Sequence, residues 1–240
     1  MKALLHYRAT PGFVAAVASH APEWLDVAIV PEDDADALAR LLPETEVLLH
    51  VLEPVTAQLI AAAPRLALIQ KIGVGVNTID LDACRAAGVG VANMPGTNTQ
   101  AVAEHALALS LAVLRRVITV DAETRAGRGW SLPHDLVDSQ GELCGRRVGL
   151  VGYGAVGRRF AEILDVIGAD VRCTTGSPRS VDGPARWCAF DELIASSDLV
   201  SLHLPLTPDT ARMIDAEVLA AIPAGAVLVN TARGGLVDEA

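Results

Sequence analysis

A glycine-rich turn in the second half of the chain constrains the fold more than any other segment. Gly152, Gly154 and Gly157 have the spacing Gly-x-Gly-x-x-Gly. An apolar run over residues 147–152 predicts a strand before them, and residues 156–167 have the period of an amphipathic helix. In this context the first glycine permits a tight turn, the second admits a pyrophosphate and the third lets helix and strand pack closely. The helix N-terminus attracts the phosphates. The segment predicts a dinucleotide site at Gly152, Gly154, Ala155, Val156 and Gly157.

Short apolar runs alternate with amphipathic stretches along both halves of the chain. Thr10 before Pro11, and Asp80, are residue types that begin helices. Strand–helix alternation predicts an α/β fold with two doubly wound parallel sheets, in domains of residues 1–97 and 98–240. The expected strands are 3–7, 26–30, 46–51, 66–72 and 89–92 in the first domain and 147–152, 170–175, 198–203 and 226–231 in the second, with a short helix over 190–195.

The segment between the two domains has a long helical period. It predicts one crossing helix over about residues 99–120, followed by a loop over residues 127–145, which are rich in Gly, Pro, Ser and His. Residues 237–240 are typical of the opening turn of a helix. Without that helix the strand 226–231 would have an uncovered edge, which native proteins avoid. We therefore expect the chain to be a fragment that is incomplete at its C-terminal end.

Composition excludes several classes of protein. The formal net charge is −10, which disfavours nucleic acids and anionic lipids as partners. Charges interrupt the apolar runs, so we expect no membrane span, and the N-terminus lacks the pattern of a signal peptide. We therefore expect a cytoplasmic protein. The 4 cysteines are widely spaced, so no metal site is predicted.

The residues after the second strand of the glycine-rich domain bear on the choice of cofactor. An acidic residue about 20 positions beyond the glycines is typical of NAD-binding domains, where it binds the ribose 2′-hydroxyl. Here Thr175, Ser177 and Arg179 occupy that stretch, which holds no carboxylate. An arginine favours a 2′-phosphate, so we predict NADP(H) over NAD(H). The alternative is that Arg179 is only a solvated loop residue.

Four segments of the chain resemble the D-isomer-specific 2-hydroxyacid dehydrogenases. The resemblance extends from about residue 46 to the end, in the family's order and spacing. The segments are residues 72–80, 93–105, 141–157, and 198–210 with 230–235. It implies a flavodoxin-like substrate domain followed by a Rossmann-type NAD(P)-binding domain. In this family a segment beyond residue 240 completes the first domain and supplies a catalytic histidine and its glutamate.

The resemblance also implies roles for individual residues. Val74 and Gly75 would hold a substrate carboxylate through backbone N–H groups. Arg233 would bind carboxylate and ketone oxygen and polarise the carbonyl as a catalytic residue. The alternatives are that Arg233 is a structural ion-pair partner and that His203 merely ends a strand. The residues implied to line the cofactor are Val102, His203, Leu204, Pro205, Thr210, Thr231 and Ala232.

The reaction implied is reversible hydride transfer between C4 of a nicotinamide and C2 of a small 2-oxo or 2-hydroxy acid. The residues leave two other hypotheses open. One is a non-catalytic NAD(P)-binding sensor or interaction module. The other is a related two-domain NAD(P) enzyme of the adenosylhomocysteinase or alanine dehydrogenase type, which residues 230–235 disfavour. A homodimer through the crossing helix is also implied by the resemblance.

Overall fold

The computed structural model describes residues 1–176 and 181–240. These residues divide into two compact units, unit 1 over Met1–Thr97 and unit 2 over Asn98–Ala240. Each unit holds one five-stranded sheet in which all the pairings are parallel. This confirms the predicted fold class of two doubly wound α/β units.

Unit 1 has the strand order β2-β1-β3-β4-β5, which is the flavodoxin-like order. Thr10 and Asp80 cap α1 and α4 as predicted, because their side chains accept hydrogen bonds from Phe13 N and Ala83 N. The elements are β1 (Lys2–His6), α1 (Pro11–His20), β2 (Asp26–Val30), α2 (Ala35–Leu41), β3 (Val47–His50), α3 (Ala57–Ala62), β4 (Leu68–Lys71), α4 (Leu81–Ala87) and β5 (Gly90–Ala92), with a 3₁₀ turn at Leu42–Glu44.

The core of unit 1 follows from the alternation of side chains along its strands. Leu4, Leu48 and Ile69 lie in one row across β1, β3 and β4 and are almost completely buried. Side chains two residues further along point to the same face of the sheet. The next row towards the carboxyl ends therefore consists of His6, His50 and Lys71.

Unit 2 has the order β10-β9-β6-β7-β8, which reads 5-4-1-2-3 within the unit and is the Rossmann arrangement. Its elements are α5 (Thr99–Leu114), α6 (Val117–Arg125), α7 (His134–Asp138), β6 (Arg147–Val151), α8 (Ala155–Ile167), β7 (Asp170–Thr174), β8 (Arg186–Trp187), α9 (Phe190–Ser196), β9 (Leu199–Leu202), α10 (Ala216–Ala221) and β10 (Val227–Asn230), with a 3₁₀ turn at Gly234–Leu236.

The helix after the glycine-rich turn is anchored by one apolar face. In α8 the residues Gly157, Phe160, Ala161 and Leu164 are buried, and they follow the i, i+3, i+4, i+7 spacing of a helix that covers a sheet. They share a core cluster with Val148 and Leu150 of β6 and with Ala103 and Ala106 of α5. The small residues of α5 let its backbone lie close to α8, and this packing holds the turn between β6 and α8 in place.

The prediction of one crossing helix over about residues 99–120 was wrong in one respect, because this segment forms two helices, α5 and α6. Arg116 has a φ of 54°, in the left-handed region, and separates α5 from α6. The N–H groups of Arg115 and Arg116 bond to Leu111 O and Val113 O and end the first helix. Since neither glycine nor proline lies at this break, the local residue types do not predict it.

Two smaller predictions also need correction. The stretch 127–145 was predicted as a loop, yet it contains the five-residue helix α7. Residues 237–240 do not open a helix. Instead Val237 forms an isolated parallel bridge with Ile214, and the N–H of Asp238 bonds to Ile214 O. The edge strand β10 is followed by this bridge rather than by a covering helix.

Across residues 1–176 and 181–240, every helix is too short or too polar to cross a lipid bilayer.

Candidate binding loops at the carboxyl ends of the two sheets

The glycine-rich turn of unit 2 is closed to side chains at two of its three glycines. Gly152 has a φ of 97°, and a Cβ there would lie 2.5 Å from the carbonyl oxygen of His203. A Cβ on Gly157 would lie 2.5 Å from Gly152 O. A Cβ on Gly154 would meet no atom of the described residues within 4 Å. The outer glycines are thus required by packing, whereas Gly154 leaves the surface of the turn open.

The start of α8 has the features of a phosphate site. Gly154 is the N-cap residue, and no side chain of residues 1–176 or 181–240 caps the N–H groups of the first turn. Ala155 and Gly154 are exposed, so an anion can reach these N–H groups from solvent. The open face at Gly154 and the uncapped helix together fit the pyrophosphate of a dinucleotide.

His203 lies at the end of β9, directly behind this turn. Its ring packs edge-on against Phe160, with 5.5 Å between ring centres. Burial lowers the pKa of His203 to about 4. The imidazole is therefore neutral at pH 7, when it carries one donor and one acceptor nitrogen.

Two buried polar atoms at this edge have no hydrogen-bond partner among the described residues. They are His203 Nε2 and Thr231 Oγ1. Leu202 pairs with Asn230, so the residues that follow, His203 and Thr231, lie side by side. Buried polar atoms are normally satisfied. These two fit a ligand with a hydrogen-bonding group, such as a nicotinamide cofactor.

The loop after β9 is held by one hydroxyl. Thr210 Oγ1 donates to Pro205 O at 2.8 Å and accepts from Thr207 N at 2.8 Å. The hydroxyl of Thr210 thereby shapes the loop that carries Leu204 and Pro205. Thr210 therefore braces this loop, and Leu204 N at the start of the loop lies 3.0 Å from the position that a Cβ on Gly152 would occupy.

Asn230, at the end of β10, shapes the segment that carries Arg233, a feature that sequence reasoning missed. Its side chain donates to Arg233 O at 2.8 Å and accepts from Ala232 N at 3.0 Å. Arg233 Nη1 donates to Ala232 O at 2.7 Å. The backbone of residues 230–233 is folded around the amide side chain of Asn230, which fixes the backbone position from which the Arg233 side chain extends.

Sequence reasoning also missed a group of three side chains at the glycine-rich turn, Tyr153, Arg158 and Asp182. Tyr153 donates its hydroxyl hydrogen to Asp182 O at 2.7 Å, and Arg158 forms an ion pair with the Asp182 carboxylate. The Arg158 guanidinium also lies 4.9 Å from the centre of the Tyr153 ring. Asp182 is thereby tied to the glycine-rich turn. Thr175 follows β7 at this edge, while the predicted residues Ser177 and Arg179 lie outside the described residues.

Val102 lies in the first turns of α5, half-buried, and its N–H bonds to Asn98 O. Among the residues that the structure describes, no group of three His, Cys, Asp or Glu side chains is placed to hold a metal ion.

The turn between β4 and α4 of unit 1 carries Val74 and Gly75. Its carbonyl groups are held from one side, since Met94 N donates to Gly73 O at 2.9 Å and Asn93 Nδ2 donates to Val74 O at 2.8 Å. Gly73 has a φ of 140°, a conformation that glycine adopts readily. Val74 is exposed. Asn93 was not singled out in the sequence, although it begins the second segment of the family resemblance.

A comparison with known families matches residues 107–240 to the family described as D-isomer specific 2-hydroxyacid dehydrogenase, NAD binding domain. The match covers most of unit 2, including the glycine-rich turn and Arg233.

Individual relatives extend the likeness to unit 1. The chain is 38% identical, over 99% of its length, to D-3-phosphoglycerate dehydrogenase of Mycobacterium tuberculosis, and spans 44% of that relative. It is 33% identical to hydroxypyruvate reductase of Thermotoga maritima, over 86% of this chain and 66% of the relative. It also superposes on NAD-dependent formate dehydrogenase of Staphylococcus aureus in complex with NAD, with a TM-score of 0.89 at 28% identity over 99% of this chain and 75% of that one.

The low pKa of His203 makes a prediction about acid stability. Because the pKa is about 4 in the folded state and 6.5 in the unfolded state, the unfolded chain binds the proton first. The free energy of unfolding therefore keeps its full value above pH 6.5, and it decreases by about 3 kcal/mol as the pH drops to 4. We expect His203→Gln to lose less stability than the wild type between pH 7.5 and 4.5 in urea unfolding. The exposed His20→Gln serves as control, and equal losses in all three proteins would contradict the assignment.

Proposed function

Because the chain belongs to the D-isomer-specific 2-hydroxyacid dehydrogenase family, we propose that the complete protein is an NAD(P)-dependent reductase of small 2-oxo acids. The observation that carries the proposal is the combination, in unit 2, of an open dinucleotide turn at Gly154 with the Asn230-held segment that presents Arg233. The nicotinamide, when bound, supplies the hydride that adds to C2 of the substrate. Unit 2 is the cofactor domain and unit 1 the substrate domain in this proposal.

Arg233 is the proposed catalytic residue. A guanidinium has several fixed N–H donors, so it can bind the substrate carboxylate and the 2-oxo oxygen together. Its charge stabilises the negative charge that develops on that oxygen as hydride arrives at C2. Val74 and Gly75 are the proposed partners of the carboxylate, through backbone N–H groups on the turn whose carbonyls Met94 and Asn93 hold.

The proposed cofactor contacts follow the carboxyl edge of unit 2. Gly154 and the first turn of α8 take the pyrophosphate, and the unpartnered atoms of His203 and Thr231 face the nicotinamide side. The full proposed set is Val102, Gly152, Gly154, Ala155, Val156, Gly157, Thr175, Ser177, Arg179, His203, Leu204, Pro205, Thr210, Thr231 and Ala232.

Replacement of Arg233 tests the reaction. In assays of the complete protein with NADH or NADPH and a panel that includes glyoxylate, hydroxypyruvate and 3-phosphohydroxypyruvate, we expect Arg233→Gln to lower kcat/KM by about 10²–10³. The affinity for the reduced cofactor, followed by its fluorescence, should change less than about threefold. The exposed Arg85→Gln, which removes the same charge from unit 1, is the control. Wild-type protein that binds cofactor but reduces no substrate would refute the dehydrogenase proposal and favour a non-catalytic binding module.

We also propose that NADP(H) is preferred over NAD(H). The support is the lack of a carboxylate among residues 175–180 and the presence of Arg179. We expect Arg179→Gln to raise the KM for NADPH about tenfold and to leave the KM for NADH nearly unchanged, because only the 2′-phosphate loses a partner. Arg186→Gln, which removes the same charge from an exposed position in strand β8, is the control. A KM for NADPH unaffected by Arg179→Gln would contradict the proposed preference.

The proposed partner, besides the substrate, is a second copy of the chain. Exposed apolar side chains along α5, α6 and the segment after them support a homodimer there, because a partner that removes apolar surface from water stabilises the assembly. They are Leu109, Val113, Val117, Ile118 and Trp130. We expect Ile118→Asp to shift the protein towards monomer in analytical ultracentrifugation, while Val166→Asp, an equally apolar and exposed site on α8, leaves the wild-type mass. Wild-type protein that sediments as a monomer would refute the dimer.

Residence in the cytoplasm is proposed from the cysteines. All 4 are free thiols, and thiols persist in reducing compartments.

A further inference from the structure

Three basic side chains stand in one row at the carboxyl ends of the central strands of unit 1. His6 ends β1, His50 ends β3 and Lys71 ends β4. Leu5 pairs with Leu49, so His6 and His50 are neighbours, and His50 pairs directly with Lys71. The carboxyl ends of parallel strands are where ligands bind in open α/β sheets.

Two members of the row are deeply buried. His50 is 3% exposed and Lys71 is 8% exposed. Burying an ammonium group costs free energy unless it gains partners, and an apolar side chain of similar length fills the same volume without that cost. Packing alone therefore does not account for a lysine at the end of β4.

The row is tied to the loop that follows β3. Lys71 Nζ donates a hydrogen bond to Val51 O, and His50 Nε2 donates to Glu53 O at 2.7 Å. Both basic side chains thus hold carbonyl groups of residues 51–53. The positions of these residues depend on β4 as well as on β3.

Burial has the largest effect on the pKa of His50, the middle side chain of the row. Burial lowers the pKa of His50; the bond to Glu53 O raises it, the Lys71 and His6 charges lower it, and the Glu53 carboxylate raises it. His50 is accordingly neutral at pH 7. Its Nδ1 and the Nε2 of His6 are buried atoms that lack a hydrogen-bond partner among the described residues.

Lys71 also borders the turn of Val74 and Gly75. Its Cε lies 3.4 Å from the position that a Cβ on Gly73 would occupy. The ammonium group is therefore next to the first residue of the turn whose N–H groups are the proposed carboxylate partners. A positive charge held in a buried site acts on a nearby anion with little screening by water or salt.

We propose that Lys71 is a positioning residue for the carboxylate of the substrate. It fixes the loop of residues 51–53 beside the turn of Gly73, Val74 and Gly75, and it places a basic side chain next to the first residue of that turn. The ligand class is a small anion with a carboxylate next to a carbonyl or hydroxyl carbon. The inference rests on the proposed function for the identity of the substrate but not for the binding of the anion.

The test uses oxalate, a non-reducible dicarboxylate, as the probe. Lys71→Met removes charge and donor, Lys71→Gln keeps a donor without the charge, and Lys71→Arg keeps both. Lys2→Met is the matched control, because Lys2 is exposed and is the other lysine of the chain. Calorimetry with the complete protein and saturating NADPH gives the Kd for oxalate, and steady-state kinetics give KM and kcat for the best 2-oxo acid of the panel.

We expect Lys71→Met and Lys71→Gln to weaken oxalate binding and to raise KM at least tenfold, with kcat within threefold and cofactor affinity unchanged. Lys71→Arg should stay within threefold of the wild type and Lys2→Met within twofold. The proposal is overturned when folded Lys71→Met and Lys71→Gln proteins keep oxalate affinity within twofold of the wild type, or when kcat falls as much as KM rises.

Two further outcomes are decisive. Should neither uncharged variant fold, the ¹⁵Nζ resonance of Lys71 in the wild type is followed as oxalate is added. A shift at Lys71 with none at Lys2 supports the proposal, and an unchanged Lys71 resonance overturns it. Wild-type protein that binds oxalate in a Lys71-dependent way but reduces no 2-oxo acid refutes the proposed function and leaves the present inference standing.

Discussion

The close approach of three backbone segments determines the geometry of unit 2. The turn after β6, the first turn of α8 and the end of β9 meet at two glycines. A Cβ on Gly152 would lie 2.5 Å from His203 O, and a Cβ on Gly157 would lie 2.5 Å from Gly152 O. This contact exists only because both positions are glycine. The close approach brings α8 against the end of β9, where Phe160 packs on His203.

In unit 1, side chains rather than glycines fix the loops at the carboxyl ends of the strands. Its carboxyl edge is held by His50 and Lys71, which reach from their strand ends to the carbonyls of the next loop. Asn93 and Asn230 act in the same way in their own units, each through a side-chain amide bonded to the backbone of a turn. The candidate binding loops of both units are thus fixed by hydrogen bonds from side chains to backbone groups of the turns and loops.

Much of the fold was predictable because its signals are local. The caps at Thr10 and Asp80, the alternation of strands and helices and the strand–turn–helix context of the glycines come from interactions between residues close in sequence. The break at Arg116 was not predictable, since an arginine in the left-handed conformation reflects tertiary packing rather than local preference. The roles of Asn93, Asp182 and Lys71 were missed for a similar reason. Their partners lie 19, 29 and 20 residues away, so only the folded chain brings them together.

The three glycines of the turn differ in the space that surrounds each of them. A methyl group at Gly152 or Gly157 would collide with backbone atoms, whereas a methyl group at Gly154 would meet no atom of the described residues within 4 Å. A small side chain at Gly154 is therefore compatible with the fold, and we expect it to affect the binding of the proposed ligand instead. The proposed pyrophosphate contact is therefore the main reason that this structure offers for a glycine at position 154. Descendants of this protein that abandoned the cofactor would be expected to lose that glycine first and to keep its two neighbours.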